Sequence, residues 1–197
     1  MKDIRILMIL VALFYVGIEA QAQWYKDLRY EAEVAYLWGI AEKSNLYKIK
    51  QSDWNIDACS FQLNVFYEFE RVWDAGLGLR MAQYTGTKDD MLGIMAVTKY
   101  RPLSNLPKAF IMTGYGCNCE DEHCFREDVC DLAIGYEWNM KKTMSLNVKL
   151  GYNYTHFKRK IWDGDSGYYK LNSHRHSLLA SLSICFWNDI DNCRRKQ

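Results

Sequence analysis

The amino-acid sequence predicts an all-β fold, an eight-stranded antiparallel up-and-down transmembrane β-barrel. Three observations lead to it. A two-residue alternation of apolar and polar side chains recurs from end to end of the chain, and only a β-strand sends alternate residues to opposite faces. The strands so marked are even in number, with short turns at one end and mostly longer connections at the other. The aromatics, with 14 Tyr and 7 Trp in the chain, gather in two belts at the ends of the apolar face.

The chain opens "MKDIRILMILVALFYVGIEAQAQ", in which Lys2 and Arg5 precede an apolar run from Ile6 to Ile18 and Ala20-Gln21-Ala22 follows. This is the pattern of a secretory signal peptide, and the run is shorter than the roughly 20 residues a spanning helix needs. Residues 1–22 are expected to be cleaved near Ala22, leaving 23–187 as an outer-membrane barrel and 188–197 as a periplasmic carboxyl-terminal tail. No cysteine sits at the cleavage point to carry a lipid anchor. The formal net charge of +1 gives no footing for nucleic acid. Both prolines lie in "RPLSNLP", so no proline-rich linker divides the chain.

In chain order, the first strand, "EAEVAYLW", sets Val34, Tyr36 and Trp38 against Glu33, Ala35 and Leu37. The second, "CSFQLNVFYEFE", sets Cys59, Phe61, Leu63, Val65, Tyr67 and Phe69 against Ser60, Gln62, Asn64, Phe66, Glu68 and Glu70. The middle four show a looser pattern: "AGLGLRMAQY", "LGIMAVTKYR", "AFIMTGYG" and "VCDLAIGYEW". The seventh, "MSLNVKLGYNYTH", sets Leu146, Val148, Leu150, Tyr152 and Tyr154 against Ser145, Asn147, Lys149, Gly151 and Asn153. The eighth, "HSLLASLSICF", sets Leu178, Ala180, Leu182, Ile184 and Phe186 against Ser177, Ser181 and Ser183. Short turns are expected at "RVWD", "PLSNLPK" and "NMKKT". Loops are expected at "AEKSNLYKIKQSDWNID", "TGTKDD", "CNCEDEHCFRED" and "HFKRKIWDGDSGYYKLNS".

A soluble lipocalin-like carrier also alternates, with its apolar face inward. The aromatics favour the opposite sense. Tyr67, Phe69, Tyr100, Tyr136, Trp138 and Phe186 form one belt, and Tyr36, Trp38, Phe61, Tyr152 and Tyr154 the other, as expected of girdles at two lipid-water interfaces. The other face carries Glu33, Glu68, Glu70, Arg80, Lys99, Arg101, Asp131, Glu137 and Lys149, a set that pairs inside a narrow barrel. Gly76, Gly78, Gly135 and Gly151 share that face and leave room for long neighbours. With only eight strands the bore is about filled by side chains, which argues for a plugged barrel rather than a pore.

On this pattern the sequence resembles the small eight-stranded outer-membrane β-barrels of diderm bacteria, the family of the OmpA transmembrane domain, over roughly Trp24 to Trp187. The resemblance implies residence in the outer membrane and contact with membrane lipid and lipopolysaccharide. It also implies loops displayed for structural, adhesive or partner-binding roles toward an extracellular protein or glycan. Such relatives usually end on the last strand with an aromatic; Phe186-Trp187 matches, but "NDIDNCRRKQ" follows it.

No cofactor or metal is expected, and no enzyme. The alternative, a lipid A modifying enzyme at the outer leaflet, draws on His156, His174 and His176. Ser177 follows His176 directly and so points to the opposite face, which denies the pair hydrogen-bond reach. The His-x-Ser motif of the lipid A deacylase family is absent. "DGDSG" lacks the full twelve-residue calcium loop. "FKRK", residues 157–160, lies near the expected level of lipopolysaccharide phosphates. The densest constellation is "CNCEDEHC". Cys117, Cys119, Cys124 and Cys130 lack paired C-x2-C zinc knuckles, and in an exported loop they are read as two disulfides with the pairing open. Strand parity puts Cys117 toward the lumen and Cys130 on the lipid side, which makes that pairing the least comfortable. The stapled acidic tip would be a rigid recognition element. Cys59, Cys185 and Cys193 remain, an odd set.

Overall fold

The computed structural model describes residues 28–45, 48–50, 56–70, 72–85, 90–120, 125–163 and 167–187. The expected signal peptide and carboxyl-terminal tail lie outside these residues, as does Cys193. The strands are β1 (Leu28–Ser44), β2 (Lys48–Lys50), β3 (Ala58–Glu70), β4 (Trp73–Tyr84), β5 (Asp90–Tyr100), β6 (Ala109–Glu120), β7 (Phe125–Lys141), β8 (Met144–Asp163) and β9 (Gly167–Trp187). From β3 onward each strand pairs antiparallel with the next, β1 pairs with β3, and β9 returns to β1 from Arg29↔Trp187 to Ser44↔Ser173. Eight strands therefore close on themselves, and closure leaves no open edge along the wall. The first and last described residues, Leu28 and Trp187, lie at the short-turn end, termed here the terminal end; the other is the loop end.

The ninth strand, β2, was not expected. It pairs with β1 beyond the top of β3, at Ala41↔Lys50 and Lys43↔Lys48. Two expected loops are largely ladder, and the strands extend into a third. β8 and β9 stay paired out to Asp163↔Gly167, so most of "HFKRKIWDGDSGYYKLNS" is a long hairpin and "FKRK" belongs to a strand. β6 and β7 pair as far as Glu120↔Phe125, and β1 runs on to Ser44 past a bulge between Gly39 and Ala41. Only part of "DGDSG" is described.

The apolar face is the outer one. Val34, Ile134 and Leu182 are 61%, 66% and 55% exposed, and the face of Leu146, Val148 and Leu150 points outward with them, whereas Phe66 and Met95 inside are 0% exposed. Such a continuous aliphatic surface greatly exceeds the patches that soluble monomers expose to water. A lipocalin-like carrier would turn it inward. The structure does the reverse and excludes that alternative.

The interior is mixed. Phe66, Met95, Val97, Phe110, Met112 and Val129 form one buried apolar cluster, and Leu37, Tyr84, Met91, Phe157 and Leu179 belong to a second. Glycine makes the fit possible at Gly135, where an added Cβ would lie 2.3 Å from Cζ of Phe110. The space left by this glycine is taken by an aromatic ring, not only by charged chains.

Candidate functional site

The lumen is a stack of ion-paired layers. At the terminal end Arg29 pairs with Glu68 and approaches Asp74 at 3.8 Å, while Arg101 pairs with Asp74 at 2.9 Å and Glu137 at 3.3 Å. Above it, Lys149 Nζ donates to Glu31 Oε1 at 2.7 Å and Glu33 Oε2 at 2.5 Å. Lys99 Nζ donates to Glu31 Oε2 at 2.8 Å and lies over the rings of Phe66 and Phe110 at 4.9 and 4.6 Å. Next, Arg80 Nη1 donates to Asp131 Oδ2 at 3.0 Å, and Asn153 Nδ2 to Asp131 Oδ1 at 2.6 Å. At the loop end Arg175 grips Glu42 Oε2 through Nε at 2.9 Å and Nη2 at 2.6 Å, and its guanidinium lies over Tyr84 and Phe157 at 4.6 and 4.9 Å. Ser173 Oγ donates to Glu42 Oε1 at 2.6 Å. An arginine held between two rings and tied to a carboxylate fills the upper bore.

Eight of the nine charged residues expected in the lumen are there: Glu33, Glu68, Arg80, Lys99, Arg101, Asp131, Glu137 and Lys149. Glu70 is not. A register shift between Glu68 and Glu70 pairs Glu70 with Trp73, outside the lumen alternation, and Glu70 is exposed. The sequence reading missed Arg29, Glu31, Glu42, Asp74 and Arg175. Glu31 shares the parity of Glu33 and is legible from it; Asp74 sits in the expected turn "RVWD", and Glu42 and Arg175 lie beyond the expected strand ends.

All the expected belt aromatics project outward. At the terminal end Tyr67 meets Phe69 edge-on at 4.9 Å, Tyr136 meets Trp138 at 4.8 Å, and Trp73 stacks on Tyr100 at 4.2 Å; Phe186 shares this end. Tyr36, Trp38, Phe61, Tyr152 and Tyr154 occupy the outer face toward the loop end. Tyr36 Oη also donates to Asp57 Oδ2 at 2.6 Å, while Asp57 Oδ1 accepts Gly39 N–H at 3.0 Å, tying β1 to the start of β3.

Just beyond this belt lies an outward row of polar side chains. Cross-strand pairs run Lys43↔His174, His174↔His156 and His156↔Asp128. The rings of His156 and His174 stack at 4.3 Å, Tyr154 Oη meets His174 Nδ1 at 2.6 Å, and Tyr152 Oη meets His176 Nδ1. Lys158 Nζ donates to Asp128 Oδ2 at 3.1 Å. Ser177 is buried on the lumen side, so the histidines have tyrosines rather than this serine as partners. Among the described residues no group of three His, Cys, Asp or Glu is arranged to hold a metal.

Cys117 and Cys130 are free and exposed, as is Cys59, and Cys185 is free and buried. The expected inward orientation of Cys117 is corrected: Phe110, Met112, Gly114 and Gly116 face the lumen, which places Cys117 outward on the same face as Cys130. Cys119, in β6, pairs through its backbone with Arg126 of β7, and Cys124 lies outside the described residues.

A closed antiparallel barrel of eight strands, apolar outside and ion-paired inside, is the architecture of the small outer-membrane barrels. Among solved structures the chain is similar to Neisserial surface protein A (NspA), at 13% identity over 80% of this chain and 96% of that one, with a TM-score of 0.42. It is similar to the outer membrane protease OmpT from Escherichia coli at 8% identity, over 86% and 99% of the two chains, with a TM-score of 0.36. A Pseudomonas aeruginosa FadL homologue gives 12% identity over 66% of this chain and 37% of that one, with a TM-score of 0.36, so the chain spans little more than a third of that protein. No protein-family model and no curated protein matches the sequence. At these identities and scores the likenesses bear on no residue and no activity.

Proposed function

We propose that this chain is an outer-membrane barrel with a closed bore, whose terminal end faces the periplasm and whose hairpins are displayed outside the cell for a structural or partner-binding role. The observation that carries this reading is the filled lumen. Arg80, Lys99 and Lys149 reach carboxylates on strands that are not their neighbours, and Arg175 and Arg101 pair into the lumen with Glu42 and Asp74 on adjoining strands, so the interior is occupied by its own side chains. A solute path through it would require breaking several buried ion pairs at once. The long β8–β9 hairpin and the acidic β6–β7 tip then become the surfaces that meet an external protein or glycan.

Lys43 and Lys158, on the outward row that also carries His156, His174 and Asp128, support contact with lipopolysaccharide headgroups, because cations just beyond an aromatic belt stand at the depth of lipid phosphates. A catalytic reading would have to use the hydroxyl of Tyr152 or Tyr154, which meet His176 and His174, because Ser177 is buried on the lumen side.

Purified protein is expected to need detergent, to give a β-rich circular dichroism spectrum, to migrate faster unboiled than boiled, and to add no stable conductance to a planar bilayer. Solubility without detergent would end the membrane reading; a steady open channel would end the closed-bore reading. Lipid A from cells with and without the protein should give the same mass profile, and a difference would revive the enzyme alternative.

A further inference from the structure

A groove of about 490 Å³ runs along the outer wall at the terminal end. Its floor is two cross-strand rows, Ala109↔Tyr136↔Val148 and Ile111↔Ile134↔Leu150. Leu103, from the turn between β5 and β6, and Trp138 also line it. The depression follows from local side-chain size. Ala109 is the small member of its row, and the turn carrying Leu103 is folded by Leu106 N–H donating to the Leu103 carbonyl at 3.1 Å and Ala109 N–H to the Leu106 carbonyl at 3.0 Å. The lining is almost wholly apolar, and its volume falls in the range of roughly 300–1,000 Å³ typical of ligand clefts.

The charges beside it have one sign. Lys108 immediately precedes the groove residue Ala109, and its carbonyl accepts the Glu137 N–H at 2.9 Å, which fixes it against β7. Lys141 and Lys142 form the adjoining β7–β8 turn just past Trp138, and all three lysines are exposed. Neither turn, residues 102–108 or 139–143, contains an acid.

We propose that this groove holds one acyl chain of an anionic glycerophospholipid in the periplasmic leaflet, with its phosphate held by Lys108, Lys141 and Lys142. The inference rests on the membrane reading and its orientation. Charge complementarity selects an anionic headgroup over a zwitterionic one, since clustered basic residues at a membrane surface attract anionic lipid additively. The Tyr136–Trp138 pair lies where the chain would bend from groove to headgroup, at the depth such rings prefer.

The test is native mass spectrometry of the full chain in detergent, titrated with palmitoyl-oleoyl phosphatidylglycerol or with the matching phosphatidylcholine. One phosphatidylglycerol should be retained in preference to phosphatidylcholine. Replacing all three lysines by glutamine should weaken retention by roughly a hundredfold. Ile134→Trp, which keeps the outer face apolar but fills the groove, should abolish it while leaving the heat-dependent gel shift intact. Equal retention of both lipids, insensitivity to either variant, or a dimer in place of the lipid adduct would overturn the proposal. Solubility without detergent would defeat the membrane reading itself, a distinct outcome.

Discussion

Replacing Lys149 by methionine tests whether the ion-paired layers hold the lumen together. Methionine is unbranched and apolar, so much of the packing along the side chain survives while the ammonium is lost. Glu33 then has no partner among the described residues, and Glu31 retains Lys99 at 2.8 Å and Asn147 Nδ2 at 3.0 Å. A layer of two carboxylates and two ammoniums becomes two against one. Removing one member of a buried pair typically costs about 3–5 kcal/mol, so the unfolding equilibrium should shift by about two to four orders of magnitude. Glu33→Gln in the Lys149→Met background restores charge balance and should recover much of that loss, a coupling expected only of groups in contact. Urea titration of the barrel in phospholipid vesicles, followed by tryptophan fluorescence and by the gel shift, reads both effects. A Lys149→Met variant within about 1 kcal/mol of the parent, or a double variant no better than the single one, would refute the reasoning.

Three further outcomes follow from the same geometry. Leu182→Arg places a cation on the outer wall between the two aromatic belts and should cost about 2–4 kcal/mol in the same vesicle titration; no cost would mean that this face does not meet lipid. Gly135→Ala puts a Cβ 2.3 Å from Cζ of Phe110, and overpacking of this kind costs about 1–3 kcal/mol, measured as a lower urea midpoint. In the folded barrel a maleimide probe should label Cys117 and Cys130 but spare Cys185, which is 1% exposed, until the protein is boiled; early labelling of Cys185 would mean an open lumen.

The wall was more legible in the sequence than the rim or the fine structure of the bore. In β3, β8 and β9 one face is aliphatic or aromatic and the other largely polar, so the parity of Leu63, Leu150 or Leu182 could be read directly. β6 carries apolar residues on both faces, Phe110 and Met112 inward and Ile111 outward, and that ambiguity misplaced Cys117. Above the belts the alternation fades along the long hairpins, so the pattern marks β8 and β9 only below that level and leaves Arg175 outside them. Glu42 is lost in the same way. Glu70 followed the correct parity to the last residue of its strand and was moved by a register shift that no pattern of side chains announces.

The seam between β1 and β9 governs how such a molecule comes into being. Its pairs join residues 129 to 158 positions apart, from Ser44↔Ser173 to Arg29↔Trp187. Bringing such distant segments together costs about 4 kcal/mol of loop entropy plus a constant, and none of it is repaid until the seam forms. Until β9 arrives, β1 and β8 are bare edges able to pair with other chains. Arg29 and Trp187, at the terminal end of the seam, cannot meet until almost the whole described chain has been delivered. Closure is therefore a late event in the life of the chain, and an escort that covers those two edges during export would prevent intermolecular pairing.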